Sequence, residues 1–304
     1  MKDISVIIIN YNTAKHTIEC IKSIVEQTSN SIRYEIIVVD NNSRTDDFTH
    51  LKANVPKSEN IHLHRSCINT GFGGGNMFGV QFANAKYLLF LNNDALLMND
   101  CLTILFGYME NNPSIGVATA QNYNEFKEHV PSFDHDKGIR KLLFGRSFLE
   151  KNFPNTHPKR KKTYCNPIFV NYVNGAFMFF NSDVFAKVGG FDTNIFLYFE
   201  EMDICYRMRK LNYKITLVPE AKILHYQGAS TGTSKSISKE GLISYMYVLK
   251  KNYSYLKYAF IRFYYCTTFL IKPKKWFLLG LIFKGAPLSE SLKQKQTITF
   301  QYAE

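Results

Sequence analysis

Residues 4–10 read ISVIIIN, a nearly unbroken β-branched run that closes on the amide of Asn10. A run without polar alternation marks a strand covered on both faces, the usual state of a parallel sheet. A helix-compatible stretch follows from Thr13 to about Gln27, with Ile18, Ile21 and Ile24/Val25 at helical spacing, and then a second buried run, Glu35–Asp40 (EIIVVD). Strand, helix and strand in that order predict a parallel pair joined by a right-handed crossover. The alternation continues through Ile61–Arg65, a glycine-rich turn and helix over 71–84, Tyr87–Leu91, a helix over 99–112 stopped by Pro113, and Ile115–Ala120. Residues 121–168 read as an irregular surface insertion. Order resumes at Val170–Phe180, with a helix from about Glu200 to Leu211 and last short strands at Ile215–Pro219 and Ala221–Leu224. The fold class is therefore α/β: a mostly parallel sheet between helices.

Composition narrows the classes. The 304 residues are 45% hydrophobic, which excludes disorder as a description of the whole. Six cysteines stand far apart without CxxC spacing, so they read as reduced, buried thiols of a cytosolic protein. The opening MKDISVIIINYN turns polar too soon for a signal peptide, and no uncharged apolar run reaches the roughly 18 residues of a membrane span. Thirty-seven Lys and Arg against 25 Asp and Glu give a net charge of +12, of which +9 lies in residues 231–304. The sequence thus divides into a nearly neutral body, 1–230, and a basic, aromatic extension, 231–304.

In open α/β sheets, ligands bind beyond the carboxyl ends of the strands. Three neighbouring strands deliver amides and carboxylates there: Asn10-Tyr11-Asn12, Asp40-Asn41-Asn42-Ser43 and Asn92-Asn93-Asp94. Turn and cap chemistry accounts for any one of these clusters, less readily for all three. The glycine cluster 71–75, with Gly71, Gly73 and Gly74, followed by Asn76, comes after the third strand and so is not a dinucleotide fingerprint. At that place glycines let backbone approach a ligand and leave N–H groups for anionic oxygens; a plain tight turn explains them too. Asp94 directly after a strand suits a hard divalent cation, and His225 at the end of a late strand is a second candidate ligand. The acids Glu200, Glu201 and Asp203 open a helix between large apolar residues. Partial desolvation there makes a carboxylate a better base, although Asp203 can also simply pair with Arg207.

These motifs stand in the order of a known family. VIIINYN (6–12), IIVVDNNS (36–43), NTGFGGGNMFG (69–79), LFLNNDALL (89–97), VNGAFMFF (173–180), VGGFD (188–192), FLYFEEMDICYR (196–207) and HYQGAS (225–230) resemble the inverting family 2 glycosyltransferases of the GT-A fold. The likeness is greatest to the bacterial rhamnosyltransferase-like branch of cell-surface polysaccharide assembly, and it covers about residues 1–230. It implies a UDP- or dTDP-sugar donor and a saccharide or lipid-linked saccharide acceptor. Asp40 and the Asn10–Asn12 segment would contact the nucleotide, with Asn42, the glycines, Asn76, Asn92 and Asn93 around it. Asp94 would hold Mg2+ or Mn2+ on the diphosphate with His225 as helper, and Gly175 and Ala176 would line the acceptor side. The family's base falls on Glu201, with Glu200 and Asp203 as alternatives.

In the extension, residues 243–271 read as one long helix carrying ten Tyr and Phe among Lys250, Lys251, Lys257 and Arg262. A second apolar stretch, 276–283, is bracketed by lysines. This pattern suits the surface of an anionic membrane, and so a peripheral enzyme on the inner face of the cell membrane. Packing on the body, or a homodimer interface, is the other use. Two rival classes stay open: a nucleic-acid binder, which leaves the acidic cluster without a role and is set aside, and a sugar nucleotidyltransferase, whose basic, glycine-rich signature is missing after Tyr11.

Overall fold

The computed structural model describes residues 1–226 and 234–299. The expected alternation is present: β1 (Lys2–Asn10), α1 (Ala14–Gln27), β2 (Tyr34–Asp40), α2 (Thr45–Asn54), β3 (Ile61–Arg65), α3 (Gly71–Val80), β4 (Ala85–Asn92), β5 (Ala95–Leu97), α4 (Cys101–Glu110) and β6 (Ile115–Tyr123). The segment expected to be irregular instead contains β7 (His129–Val130), β8 (Phe133–Asp134), α5 (Ile139–Phe144), α6 (Arg146–Asn152) and β9 (Ile168–Phe169). Its polar, broken pattern concealed them because each element is too short for periodicity to register. Then come β10 (Tyr172–Val173), β11 (Phe177–Asn181), α7 (Ser182–Lys187), α8 (Glu200–Lys210) and β12 (Lys214–His225). The two short strands expected around Pro219 are one strand, with a register shift between Val218 and Lys222 where the proline cannot pair.

The main sheet runs β3-β2-β1-β4-β11-β6-β12-β5. β1, β2, β3 and β4 are mutually parallel, as are β6 and β12. β11 enters antiparallel between β4 and β6. Alternate residues of the first strands feed two cores: Ile7, Ile37, Val39 and Phe90 on one face, Ile8, Ile36, Val38 and Leu89 on the other. Helix α3 reaches the first face through glycines. A Cβ on Gly79 would lie 2.6 Å from Ile7 Cγ2, and one on Gly75 3.0 Å from Ile9 Cδ1.

The extension is helical, but the long helix expected over 243–271 is two, α9 (Lys235–Asn252) and α10 (Tyr255–Leu270), broken at Tyr253-Ser254. The break lets α10 turn back onto α5 and α9. α9 buries Leu242, Ile243, Met246, Val248 and Leu249 in the same core as α8. α11 (Leu279–Phe283) follows a 3-10 turn over Pro273–Leu278. The chain then returns across the body as a strap. The buried carboxylate of Glu240 accepts hydrogen bonds from Ser291 Oγ (2.8 Å) and the Leu292 N–H (2.7 Å). Beyond that anchor, the Thr299 N–H reaches the Cys67 carbonyl at 2.7 Å, and Asn42 Nδ2 the Thr297 carbonyl at 3.4 Å. Among the described residues no helix is long and apolar enough to cross a membrane. The cysteines are free, but only Cys20, Cys101 and Cys205 are buried; Cys67 and Cys165 are exposed, contrary to the expectation for all six.

Two tests follow from this packing. Gly79→Ala should lower unfolding stability by about 1–3 kcal/mol, since overpacking Ile7 outweighs the gain in helix propensity. Gly107→Ala, where nothing lies within 4 Å, should gain up to about 1 kcal/mol. Urea unfolding of both variants reads the contrast. Glu240→Ala should free the strap, speeding amide exchange at Leu292 and Thr299 by about 10- to 100-fold, the worth of hydrogen bonds to a charged acceptor. Unchanged protection at both amides would show that the strap is held elsewhere.

Candidate active site

A cavity of about 610 Å³ opens at the carboxyl ends of β1 and β4. Of the residues expected there, Tyr11, Gly71, Asn76, Asn92, Asn93, Gly175, Ala176, Glu200, Glu201 and His225 line it. Asn10, Asn12, Asp40, Asn42, Gly73, Gly74, Asp94 and Asp203 are not among its lining residues. Gln227–Ser230 of the HYQGAS segment lie outside the described residues.

The absent members have clear occupations. Asn10 Nδ2 donates to Asp40 (2.9 Å), Ser43 (3.1 Å) and Asp47 (2.9 Å), locking β1 to β2 beneath the rim. Asp40 is fully buried, with Arg65 Nε at 3.2 Å and the Ser43 N–H at 3.2 Å. Asn12 and Asn42 adopt positive φ, and Asn12 Oδ1 caps the Arg44 N–H. Gly73 and Gly74 lie inside α3, against Glu200 and Thr70; their lack of side chain serves helix packing, which corrects the expectation of a ligand cradle.

Gly71 is the glycine that its backbone demands. Its φ is +75°, and a Cβ would fall 2.0 Å from the Phe196 carbonyl, which accepts the Phe72 N–H at 2.9 Å. Asn41 staples this turn, donating to Asn69 Oδ1 and the Gly71 carbonyl (both 3.0 Å) while accepting from Thr70. On the far side of the turn, Tyr198 and Phe199 both take positive φ, rare for large side chains. They swing the start of α8 so that Glu200 and Glu201 meet the cavity together. Asp203, one helical turn on, is fully buried and consumed by Arg207 Nε (2.9 Å), Lys251 Nζ (3.0 Å) and Asn252 Nδ2 (2.8 Å). It ties α8 to α9 and has no part in the cavity, which removes it from the three candidate bases.

The remaining pair is unequal. Glu200 is 2% exposed, and burial followed by the charge of Glu201 pushes its carboxyl well above the ordinary glutamate value; the Gly73 N–H works against that rise. Burial also raises Glu201, but the ammonium of Lys137 opposes the rise. Lys137 Nζ sits 4.3 Å above the Phe199 ring. Two close carboxylates in such surroundings titrate as a pair, and the cation beside Glu201 favours Glu200 as the holder of the shared proton.

At the other end, antiparallel pairing of β5 with β12 places Ala95 opposite His225. Asp94 Oδ1 thereby lies 3.2 Å from His225 Nε2, buried and accepting no hydrogen bond. An orphaned carboxylate oxygen beside an imidazole fits a divalent cation that takes its other ligands from outside the protein. Among the described residues no group of three or more His, Cys, Asp and Glu side chains is gathered for a metal. Asn93 Nδ2 is tied to Thr13 Oγ1 (2.6 Å) and Thr17 Oγ1 (2.8 Å), so this rim is fixed before any ligand arrives.

Several lining residues escaped the sequence reading. Asn69, Asn174 and Phe196 stood inside quoted motifs. Ile237, Leu292 and Gln296 come from α9 and the strap, and carried no signal at all. Lys137, which does not line the cavity but acts on Glu201, stands in the insertion.

The Glycosyl transferase family 2 model matches residues 5–189, more than half of the chain. Rhamnosyltransferase WbbL of Escherichia coli (strain K12) is 26% identical over 166 residues, 51% of this chain and 61% of that protein. The low-salt glycan biosynthesis hexosyltransferase Agl10 of Haloferax volcanii is 25% identical over 231 residues, 75% of this chain and 68% of that protein. Among solved structures, GalNAc-T7 with UDP, GalNAc and Mn2+ superimposes at a TM-score of 0.60 and 16% identity, over 93% of this chain and 56% of that one. S. aureus TarS 1-349 superimposes at 0.50 and 15% identity, over 81% and 65%. The chain thus spans less than two thirds of WbbL and of both solved chains, and at these identities the structures speak for the GT-A fold alone. With a matched region that carries the β1–β4 rim, the Gly71 turn and Asp94, the chain belongs to glycosyl transferase family 2.

Proposed function

We propose that this cavity transfers a sugar, with inversion, from a UDP- or dTDP-sugar to a hydroxyl of a saccharide acceptor in cell-surface polysaccharide synthesis. The observation that carries the reading is the unequal pair Glu200 and Glu201 in one cavity with the Asn92-Asn93 rim and His225. Glu201 takes the proton of the acceptor hydroxyl, which attacks the anomeric carbon in line with the departing nucleotide. Glu200 keeps its proton and spares Glu201 a second negative charge. Asp94 and His225 would hold Mg2+ or Mn2+, which supplies charge neutralisation on the diphosphate. Asn41, Asn69 and Tyr11 border the nucleotide end, while Gly175 and Ala176, backed by the wall around Phe72, leave room for the acceptor.

The same reading sets the enzyme against the cytoplasmic face of an anionic membrane, with a lipid-linked acceptor. Its support is the outer face of α10 and the following turn. Tyr255, Leu256, Phe263, Ile271 and Trp276 are exposed there among Lys257, Lys272, Lys274 and Lys275.

Nucleotide titrations with and without Mg2+ or Mn2+, run beside a transfer assay on a panel of UDP- and dTDP-sugars, test the roles. Glu201→Gln should lose transfer by at least about 100-fold, the worth of a general base, yet bind nucleotide as before. Asp94→Ala should lose the cation-dependent part of nucleotide binding. Near-normal turnover in the first variant, or an unchanged titration in the second, would remove that residue from its role. Release of pyrophosphate in place of a nucleoside diphosphate would favour the nucleotidyltransferase reading.

The pH profile tests the pair. A base must be ionised, so activity is present above the raised Glu201 pKa and fades as pH falls through it. Lys137→Met removes the cation that holds this pKa down, and should move the acid limb upward by about 1 unit. An unmoved limb would dissociate Lys137 from the base.

A further inference from the structure

A second cavity, of about 540 Å³, lies between the insertion and α10. Arg140 and Lys141 of α5, Lys257 of α10, and Thr156 and His157 beyond α6 line it. Its one acid, Asp136, is already neutralised from outside by both Arg209 nitrogens, at 2.7 and 2.9 Å. Lys141 shares Asp134 with Arg146 and Arg160, each at 3.3 Å, and Arg160 also reaches Glu150 at 3.6 Å, so three cations meet two carboxylates. Arg140 and Lys257 have no acidic partner within 4.0 Å among the described residues. Burial, with the charges of Arg146 and Lys137, lowers the Lys141 pKa to about 8, Asp134 notwithstanding. The cavity therefore carries two cations, Arg140 and Lys257, that no acid among the described residues answers, beside a hydroxyl and an imidazole.

We propose that this cavity is a phosphate-binding site, taking the phosphate or diphosphate ester of a molecule that approaches the active site from the α5–α10 side. The backbone joins the two places. Asp136 and Gly138 line the second cavity, while Lys137 between them is the cation beside Glu201. Guanidinium, ammonium and hydroxyl donors are the groups that bind phosphate oxygens. Both flanking elements carry exposed apolar side chains close in sequence to lining residues: Leu143 and Phe144 after Lys141, and Leu256 and Phe260 around Lys257. Such flanks suit a phosphate borne on a lipid, whether a lipid-linked saccharide or a membrane headgroup. The link to an acceptor rests on the transfer reading; the phosphate site itself does not.

The test uses the full chain without metal and follows the ring signals of His157 by NMR. His157 is set by burial, then by Asp136, Arg140, Glu150 and Lys141, with the His135 ring at 5.0 Å. A phosphate group seated beside it should raise its pKa by about 1 unit. Inorganic pyrophosphate is one probe; vesicles with and without phosphatidylglycerol are the other. A rise with pyrophosphate supports a site for the isolated group, and a rise only with phosphatidylglycerol vesicles supports a headgroup as its source. Arg140→Glu combined with Lys257→Glu, both at exposed positions, should abolish either response. No shift with either probe, or a shift that survives the double variant, overturns the site. Turnover enters neither arm, so failure here is distinct from failure of the Glu201→Gln test.

Discussion

Two neighbouring carboxylates cannot both be charged in a low-dielectric wall, and much of the site is arranged around that constraint. Both line the cavity, but Glu200 is the more deeply buried and is pressed toward its neutral form by burial and by its neighbour, while Glu201 has Lys137 beside it. The asymmetry comes from two parts of the chain. α8 supplies the acids, with Glu200 the more deeply buried, and the insertion contributes the ammonium beside Glu201; the Gly73 N–H of α3 only partly offsets the rise at Glu200. Lys137 adds to a difference that burial already makes between the two.

Holding the acids there strains the backbone, and the surroundings absorb that strain. Tyr198 and Phe199 take left-handed conformations at consecutive positions, a cost of order 1–3 kcal/mol each. Phe199 is in turn packed on Tyr245 at 5.1 Å between ring centroids and capped by Lys137. Asp203 clamps the next turn of α8 to Lys251 and Asn252 of α9. The extension is thus a structural partner of the acidic turn, and through Ile237, Leu292 and Gln296 it also completes the cavity wall.

The parallel half of the fold was legible because β1, β2 and β4 are buried runs with helices between them, the strongest pattern a sequence offers. The rim was legible as a set: Asn92, Asn93, Glu200, Glu201 and His225 converge as their positions at element ends imply. What failed was the assignment of individual side chains. Asn10 and Asp40 stand at strand ends yet turn into the β1–β2 network, and Asp203 shares a helix with Glu201 yet faces α9. Direction depends on tertiary partners such as Arg65 and Lys251, far away in sequence. The glycines of α3 were seen, but their role was not. Only the structure shows Ile7 and Ile9 where a Cβ would fall. Lys137, Leu292 and Gln296 had no local signal, since a lysine in a polar insertion and a strap near the chain end look like solvated surface.

The division of charge within the acid pair is the central claim, and side-chain carboxyl NMR reads it directly. In protein labelled with 13C at the glutamate carboxyl carbon, titrated through neutral pH, the account predicts one signal at the protonated position and its neighbour ionised. The protonated signal should vanish in Glu200→Gln, and the ionised partner in Glu201→Gln. Two ionised signals at neutral pH, or a protonated signal that belongs to Glu201, would contradict it.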